Sequence, residues 1–254
     1  MSSATSAAIP AVLIAGGQQL DNKIFKTIIA PTFEQCPNPK VAYIGTANGD
    51  RESFFEMVYA LFVKAGIRCV DFLHLARADA DVAAARETLA RADVIFLSGG
   101  EVFDGIDWLR KHRLVNMLKA LYDKGTQFIG ISAGAIMIGA NWVRIGIPED
   151  NESTHKLMQW VAGESCPEID ANIELFECLG LVRATFDTHA EHEDWVELKA
   201  ALRLMGDNSC GYGIPRGGII KAIDKNARAG SVHLENLEKE YLTFTLKKGE
   251  YHIT

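Results

Sequence analysis

Five short apolar runs, Ala11–Ala15, Val41–Gly45, Cys69–Leu73, Val94–Ser98 and Phe128–Ile131, recur along the first half of the chain, each followed by a segment of helical period or composition. Runs of this length and β-branched character read as strands covered on both faces, and neighbouring parallel strands need helical crossovers rather than tight hairpins. The alternation restricts the chain to the α/β class, with a mostly parallel sheet flanked by helices. Asp50–Gly66 places Phe54, Phe55, Val58, Leu61 and Phe62 at helical spacing, and the alanine-rich Asp79–Arg91 runs almost directly into the Val94 strand. Asp107–Lys124 repeats the pattern with Trp108, Leu109, Leu114, Leu118 and Leu121, and Gly125 supplies a helix stop.

The second half reads differently. A polar turn is expected at Ile147–Asn151, a loop at Gly163–Pro167, a short helix at Ile169–Leu179 closed by Gly180, and a strand at Leu181–Phe186. Glu193–Met205 has the period of an amphipathic helix, Gly213–Ile223 reads as a strand pair around the turn Arg216–Gly218, and Tyr241–Leu246 alternates like a late edge strand. No repeat, low-complexity tract or linker interrupts the chain, so residues 1–254 are expected to form one domain. At 48% apolar residues that domain can bury a large core.

The formal net charge is −7, with no basic stripe to offset it, which argues against nucleic acid or an anionic membrane as a partner. The longest apolar runs are strand-length, far short of a membrane span. The N-terminal segment has no Lys or Arg ahead of its apolar stretch, unlike a secretory leader. The cysteines at 36, 69, 166, 178 and 210 are odd in number and contain no CxxC pair, which points to neither a disulfide framework nor a zinc site. A reducing cytoplasm is the expected compartment.

The run TQFIGISAGAIMIGA, Thr126 to Ala140, sets Ser132 between Gly130 and Gly134 where an apolar strand gives way to a helix. A serine hydroxyl becomes a useful nucleophile when a sharp turn pushes it clear of the backbone beside a base, and small residues two positions either side let strand and helix approach closely. The same turn aims the amide of Ala133 at the space where an oxyanion would form. Histidine suits the role of base near neutral pH. His74, His112, His155, His233 and His252 fall in unsuitable segments, which leaves His189, at the carboxyl end of a strand, and His192, three residues further on. Glycine amides in Ser98-Gly99-Gly100, at the end of the preceding strand, can face the same crevice, with Gly99 or Gly100 as a second oxyanion donor.

The ordered motifs LSGGE (Leu97–Glu101), GISAGA (Gly130–Ala135), DTH (Asp187–His189) and GYGIPRG (Gly211–Gly217) resemble the peptidase E (aspartyl dipeptidase) and cyanophycinase family of serine peptidases. The resemblance covers nearly the whole chain and implies a class I glutamine amidotransferase-like, flavodoxin-like three-layer fold. Matched position by position, it implies Ser132 as nucleophile, His189 as general base and the amides of Gly100 and Ala133 as oxyanion hole; Gly99, Glu101 and Arg216, in or beside these motifs, are expected to bind substrate. It also implies a small peptide substrate cleaved next to an aspartyl residue, no cofactor and no metal, and it leaves a homodimer open.

Two departures accompany the match. Peptidase E carries a glutamate after the proline of the last motif to orient the histidine, and this chain has Arg216 there. Losing an orienting carboxylate can cost on the order of 10⁴ in kcat. Asp187, two residues before His189, is the first choice for a substitute, because in extended chain the two side chains share a face. Cyanophycinase-like members place arginines soon after the histidine, whereas here Glu191, Glu193, Asp194 and Glu197 follow it. An acidic substrate group would then rely on Arg216, Arg144 or Arg183, and a cationic or neutral peptide substrate stands as an alternative. The expectation is a Ser-His peptidase forming an acyl-enzyme, its rivals being a catalytically silent binding homologue and a small-molecule esterase or amidase.

Overall fold

A computed structural model describes residues 11–17, 20–148, 150–226 and 231–254. The expected leader-free segment at residues 1–10 and position 149 of the expected polar turn lie outside the described residues. The strands are β1 (Ala11–Ile14), β2 (Lys40–Ile44), β3 (Cys69–Leu73), β4 (Val94–Leu97), β5 (Gln127–Ile131), β6 (Asn141–Ile145), β7 (Ile173–Glu177), β8 (Thr185–Thr188), β9 (Cys210–Ile214), β10 (Ile219–Asn226), β11 (Ser231–Glu238), β12 (Leu242–Lys247) and β13 (Glu250–Ile253). The helices are α1 (Asn22–Gln35), α2 (Glu52–Ala65), α3 (Val82–Ala90), α4 (Val102–Lys111), α5 (Val115–Asp123), α6 (Ala133–Ile138), α7 (Asn151–Val161), α8 (Pro167–Asn172) and α9 (Val196–Met205).

The central sheet has the order β11-β10-β1-β5-β4-β2-β3. Its five strands from β1 to β3 run parallel, while β10 and β11 add an antiparallel edge. Alternation along these strands divides the core into two layers. Val12, Ile14, Val41, Tyr43, Val94, Phe96 and Ile129 pack with α1 and α2 on one face. Leu13, Ala42, Ile44, Ile95, Leu97 and Phe128 pack on the other, with α3 to α6. This is the expected three-layer arrangement, and it gathers the carboxyl ends of β1, β4 and β5 at one edge. A second sheet, β13-β12-β9-β8, and the two-stranded antiparallel pair β6-β7 close over the side that carries α6.

Several local expectations are corrected by long-range pairing. The helix read at Asp107–Lys124 begins at Val102 and breaks between α4 and α5, where Arg113 takes a positive φ of 54°. The segment read as a helix at Ile169–Leu179 is split between α8 and β7, because Phe176 and its neighbours pair antiparallel with Trp142 on β6. The strand after Gly180 is β8, shifted to Thr185–Thr188. Helix α9 starts at Val196, after a single 3-10 turn at Glu191–Glu193. Strands β9 and β10 do not pair with each other: β9 joins β8 and β12, β10 joins β1 and β11, and the turn at Arg216–Gly218 carries the chain between sheets. Strand β12 lies between β13 and β9, not at an edge.

Candidate active site

Ser132 leaves β5 with φ 54° and ψ −123° and begins the turn into α6. A non-glycine residue held there stores strain, and the surroundings explain how it persists. The Ser132 amide donates to the Ile14 carbonyl at 2.8 Å, and the Ser132 carbonyl accepts from the amides of Ala135 and Ile136. The turn also needs its flanking glycines. A Cβ on Gly130 would lie 2.4 Å from the Gly134 carbonyl oxygen, and one on Gly134 would lie 2.1 Å from that of Leu97. Strand, elbow and helix therefore touch through backbone alone.

His189 follows directly on β8, and its amide donates to the Ile214 carbonyl at 2.9 Å. Its φ of 48° turns the chain out of the strand, and its Nε2 lies 2.8 Å from Ser132 Oγ. With Nε2 unprotonated, the serine hydroxyl donates to the ring, the arrangement a general base needs. The contact is made between the two sheets: Ser132 comes from the central sheet and His189 from the smaller one. His192 sits on the exposed 3-10 turn.

The Gly99–Gly100 turn closes the other side. A Cβ on Gly99 would lie 3.1 Å from Ser132 Cβ. Gly100 has a φ of 139°, and a Cβ there would fall 2.1 Å from the Ala47 carbonyl oxygen. Asn48 pins this turn through Nδ2, which donates to Ser98 Oγ at 2.7 Å and to the Gly99 carbonyl at 3.1 Å. The Glu101 amide donates to the Ala47 carbonyl at 2.7 Å. Asn48 is absent from the sequence-based site, although its place beyond the end of β2, at the same sheet edge as Gly99, was a usable signal. Ala133 is the first residue of α6, so its N–H has no partner within the helix.

Ser132, Ala133, Gly100, Glu101, Asp187 and His189 line one cleft of about 550 Å³, walled further by β6 and by the starts of α7 and α9. Gly99 lies behind Ser132 rather than on this surface. Arg216 and Arg183 do not line the cleft either. The Arg216 stem lies over Gly17, where a Cβ would meet Arg216 Cγ at 3.0 Å, and its carbonyl accepts from Lys239 Nζ. Arg144 does reach the cleft, with its guanidinium over the Phe103 ring at 4.0 Å and paired to Glu174 Oε1 at 3.2 Å.

Asp187 does not meet the expectation that it orients His189. One carboxylate oxygen accepts from the Thr188 amide at 2.7 Å, and the other, Oδ2, is buried without a hydrogen-bond partner. The shared face argued from spacing requires extended chain at both residues, and the positive φ of His189 ends that alternation. Burial first, then the nearby Glu197 and Glu193, hold the Asp187 carboxyl well above the usual carboxylate range, against the opposing amides of Thr188 and Leu198. Glu191 is committed to the Arg216 amide at 2.6 Å, and Asp194 pairs with Lys199 at 2.6 Å. Among the described residues, no cluster of His, Cys, Asp and Glu is arranged to hold a metal ion, and no helix is long and apolar enough to cross a membrane.

A mostly parallel α/β sheet carrying a serine on a strained strand-to-helix turn, with a histidine at its hydroxyl, defines a class of strand-elbow-helix α/β proteins. Within that class the chain belongs to peptidase family S51, whose model matches residues 11–230. It is similar in fold to a peptidase from an acI-B1 actinobacterium, at 17% identity over 97% of this chain and 95% of that one, with a TM-score of 0.66. It is likewise similar to a peptidase E-like protein from Listeria monocytogenes EGD-e, at 18% identity over 91% and 100% of the two chains, with a TM-score of 0.55. No curated protein sequence matches it significantly. Membership of a peptidase family supports a hydrolase acting on peptides.

Proposed function

We propose that the protein is a serine peptidase of small peptides that works through Ser132 and His189. The observation that carries this reading is the 2.8 Å contact between Ser132 Oγ and His189 Nε2 in the wall of a cleft large enough for a few residues of peptide. Ser132 Oγ attacks the scissile carbonyl carbon as His189 Nε2 takes the hydroxyl proton, and the carbonyl oxygen becomes an oxyanion facing the amides of Gly100 and Ala133. Collapse breaks the C–N bond, and His189 returns the proton to the leaving amine. Water then attacks the acyl-enzyme with His189 again as base, releasing the carboxylic acid and restoring the serine.

A rival reading, a binding protein that has kept the elbow and lost the chemistry, draws on the engagements of Asp187, Glu191 and Asp194 away from the imidazole. Hydrolysis of a panel of Lys-, Ala- and Asp-headed dipeptides separates the two. Turnover by the parent should fall by on the order of 10⁴ or more in folded Ser132→Ala and His189→Ala. Turnover retained by Ser132→Ala would overturn the nucleophile, and no turnover of any peptide by the parent would favour the rival.

A further inference from the structure

The Gly100 amide can serve an oxyanion only while the Gly99–Gly100 peptide keeps its N–H turned into the cleft. A trans peptide is planar, with its C=O and N–H pointing in opposite directions, so whatever holds the Gly99 carbonyl also aims the Gly100 amide. Neither glycine has a side chain to fix that plane, and neither tolerates one: a Cβ would meet Ser132 Cβ from Gly99 and the Ala47 carbonyl oxygen from Gly100. The plane must be held from outside.

Asn48 is placed to hold it. It closes the 3-10 turn Thr46–Asn48 beyond β2. Its Nδ2 donates to the Gly99 carbonyl at 3.1 Å and to Ser98 Oγ at 2.7 Å, while its Oδ1 accepts from the Arg51 amide at 3.0 Å. Turning this side-chain amide over would set its oxygen against the Gly99 carbonyl and its NH₂ against the Arg51 N–H, so the network admits one orientation. Asn48 does not line the cleft, whereas Gly100 lines it beside Ser132. Among the described residues, the Gly100 amide donates to no backbone carbonyl. A hydrogen bond to the carbonyl of a peptide also polarises the N–H on its far side.

From this we propose that Asn48 is a positioning residue for the reaction: through the Gly99 carbonyl it turns the Gly100 N–H into the cleft and holds it there before the oxyanion forms. A donor fixed in advance needs no reorganisation as charge develops, which is what makes such a donor effective. The inference rests on the serine peptidase reading, but the orientation of the peptide can be observed without any chemistry.

Two variants test it. Asn48→Asp keeps the acceptor for the Arg51 amide and sets a carboxylate, with no N–H, against the Gly99 carbonyl. Asn48→Ala adds no charge and serves if the aspartate prevents folding. The probe is a fluorophosphonate: Ser132 Oγ bonds to phosphorus, the P–F bond breaks and fluoride leaves, the hydroxyl proton passes to His189, and negative charge gathers on the phosphoryl oxygen in the oxyanion hole. Labelling is expected to be on the order of 10- to 100-fold slower in both variants, less than the loss of an oxyanion donor outright. On the dipeptide that the parent hydrolyses fastest, kcat should fall by the same factor with KM within about twofold of the parent's. Crystal structures of the variants should show the Gly99–Gly100 peptide rotated from its orientation in the parent. Labelling at the parent's rate would overturn the proposal, as would a loss carried by KM, or a peptide that keeps its orientation in both variants. A rotated peptide in the variants of a parent that neither labels nor hydrolyses any dipeptide would support the hold of Asn48 and sink only the peptidase reading.

Discussion

The unusual backbone of Ser132, φ 54° and ψ −123°, is the clearest mark that this residue has a task beyond packing. Its strain belongs to any side chain with a Cβ, so Ser132→Ala keeps it and Ser132→Gly releases it. Chemical denaturation should find Ser132→Gly more stable than Ser132→Ala by about 1 kcal/mol, once the larger backbone entropy of unfolded glycine is set against the relief. Equal stabilities would mean that the turn is relaxed. The elbow was legible in the sequence because its needs are steric and local: Gly130 and Gly134 sit where backbones meet. The relation of Asp187 to His189 was not, since a spacing of two residues implies a shared face only while the chain stays extended. The φ of 48° at His189 goes with an amide bond to the Ile214 carbonyl, far away in sequence.

Among the elements, α6 and the ends of β4 and β5 form the unit that presents Ser132. A methyl group on Gly134 would strike the Leu97 carbonyl oxygen at 2.1 Å and the Ser98 carbonyl oxygen at 2.8 Å, and neither backbone atom can swing aside as a side-chain tip could. Gly134→Ala should therefore cost about 3 kcal/mol or fail to fold, whereas Gly49→Ala, with nothing within 4 Å of its added Cβ, bears only the strain of its positive φ. Similar melting temperatures for the two variants would contradict the contact. The β1 to β5 crossovers could be read from pattern because strands and helices there bury continuous runs and pair with neighbours in the same sheet. The region after Ala140 resisted reading. Strands β6 and β7 exist through their mutual pairing across α7 and α8, and β9 and β10 look like a hairpin until each finds its partners in a different sheet.

Across the whole molecule, stability should carry the imprint of Asp187. Its carboxyl holds its proton more tightly in the folded state than in the unfolded chain, so folding is most favoured below the ordinary carboxylate pKa of about 4 and loses ground as pH rises toward the folded value. Asp187→Asn has no proton to lose and keeps the oxygen that accepts from the Thr188 amide. The gap in melting temperature between variant and parent should grow in the variant's favour from pH 4 to pH 8; a gap independent of pH would contradict a carboxyl whose burial raises its pKa on folding. The same cleft joins two sheets, with Ser132 on one and His189 on the other, so the proposed activity would depend on how the sheets pack and not on either motif alone. The most direct measurement is the intact mass of the protein after treatment with a fluorophosphonate, comparing the parent with Ser132→Ala and His189→Ala. One adduct per chain, located on Ser132, absent from Ser132→Ala and slowed at least a hundredfold in His189→Ala, is the predicted result. An unlabelled parent, or labelling that ignores either substitution, would contradict an activated Ser132.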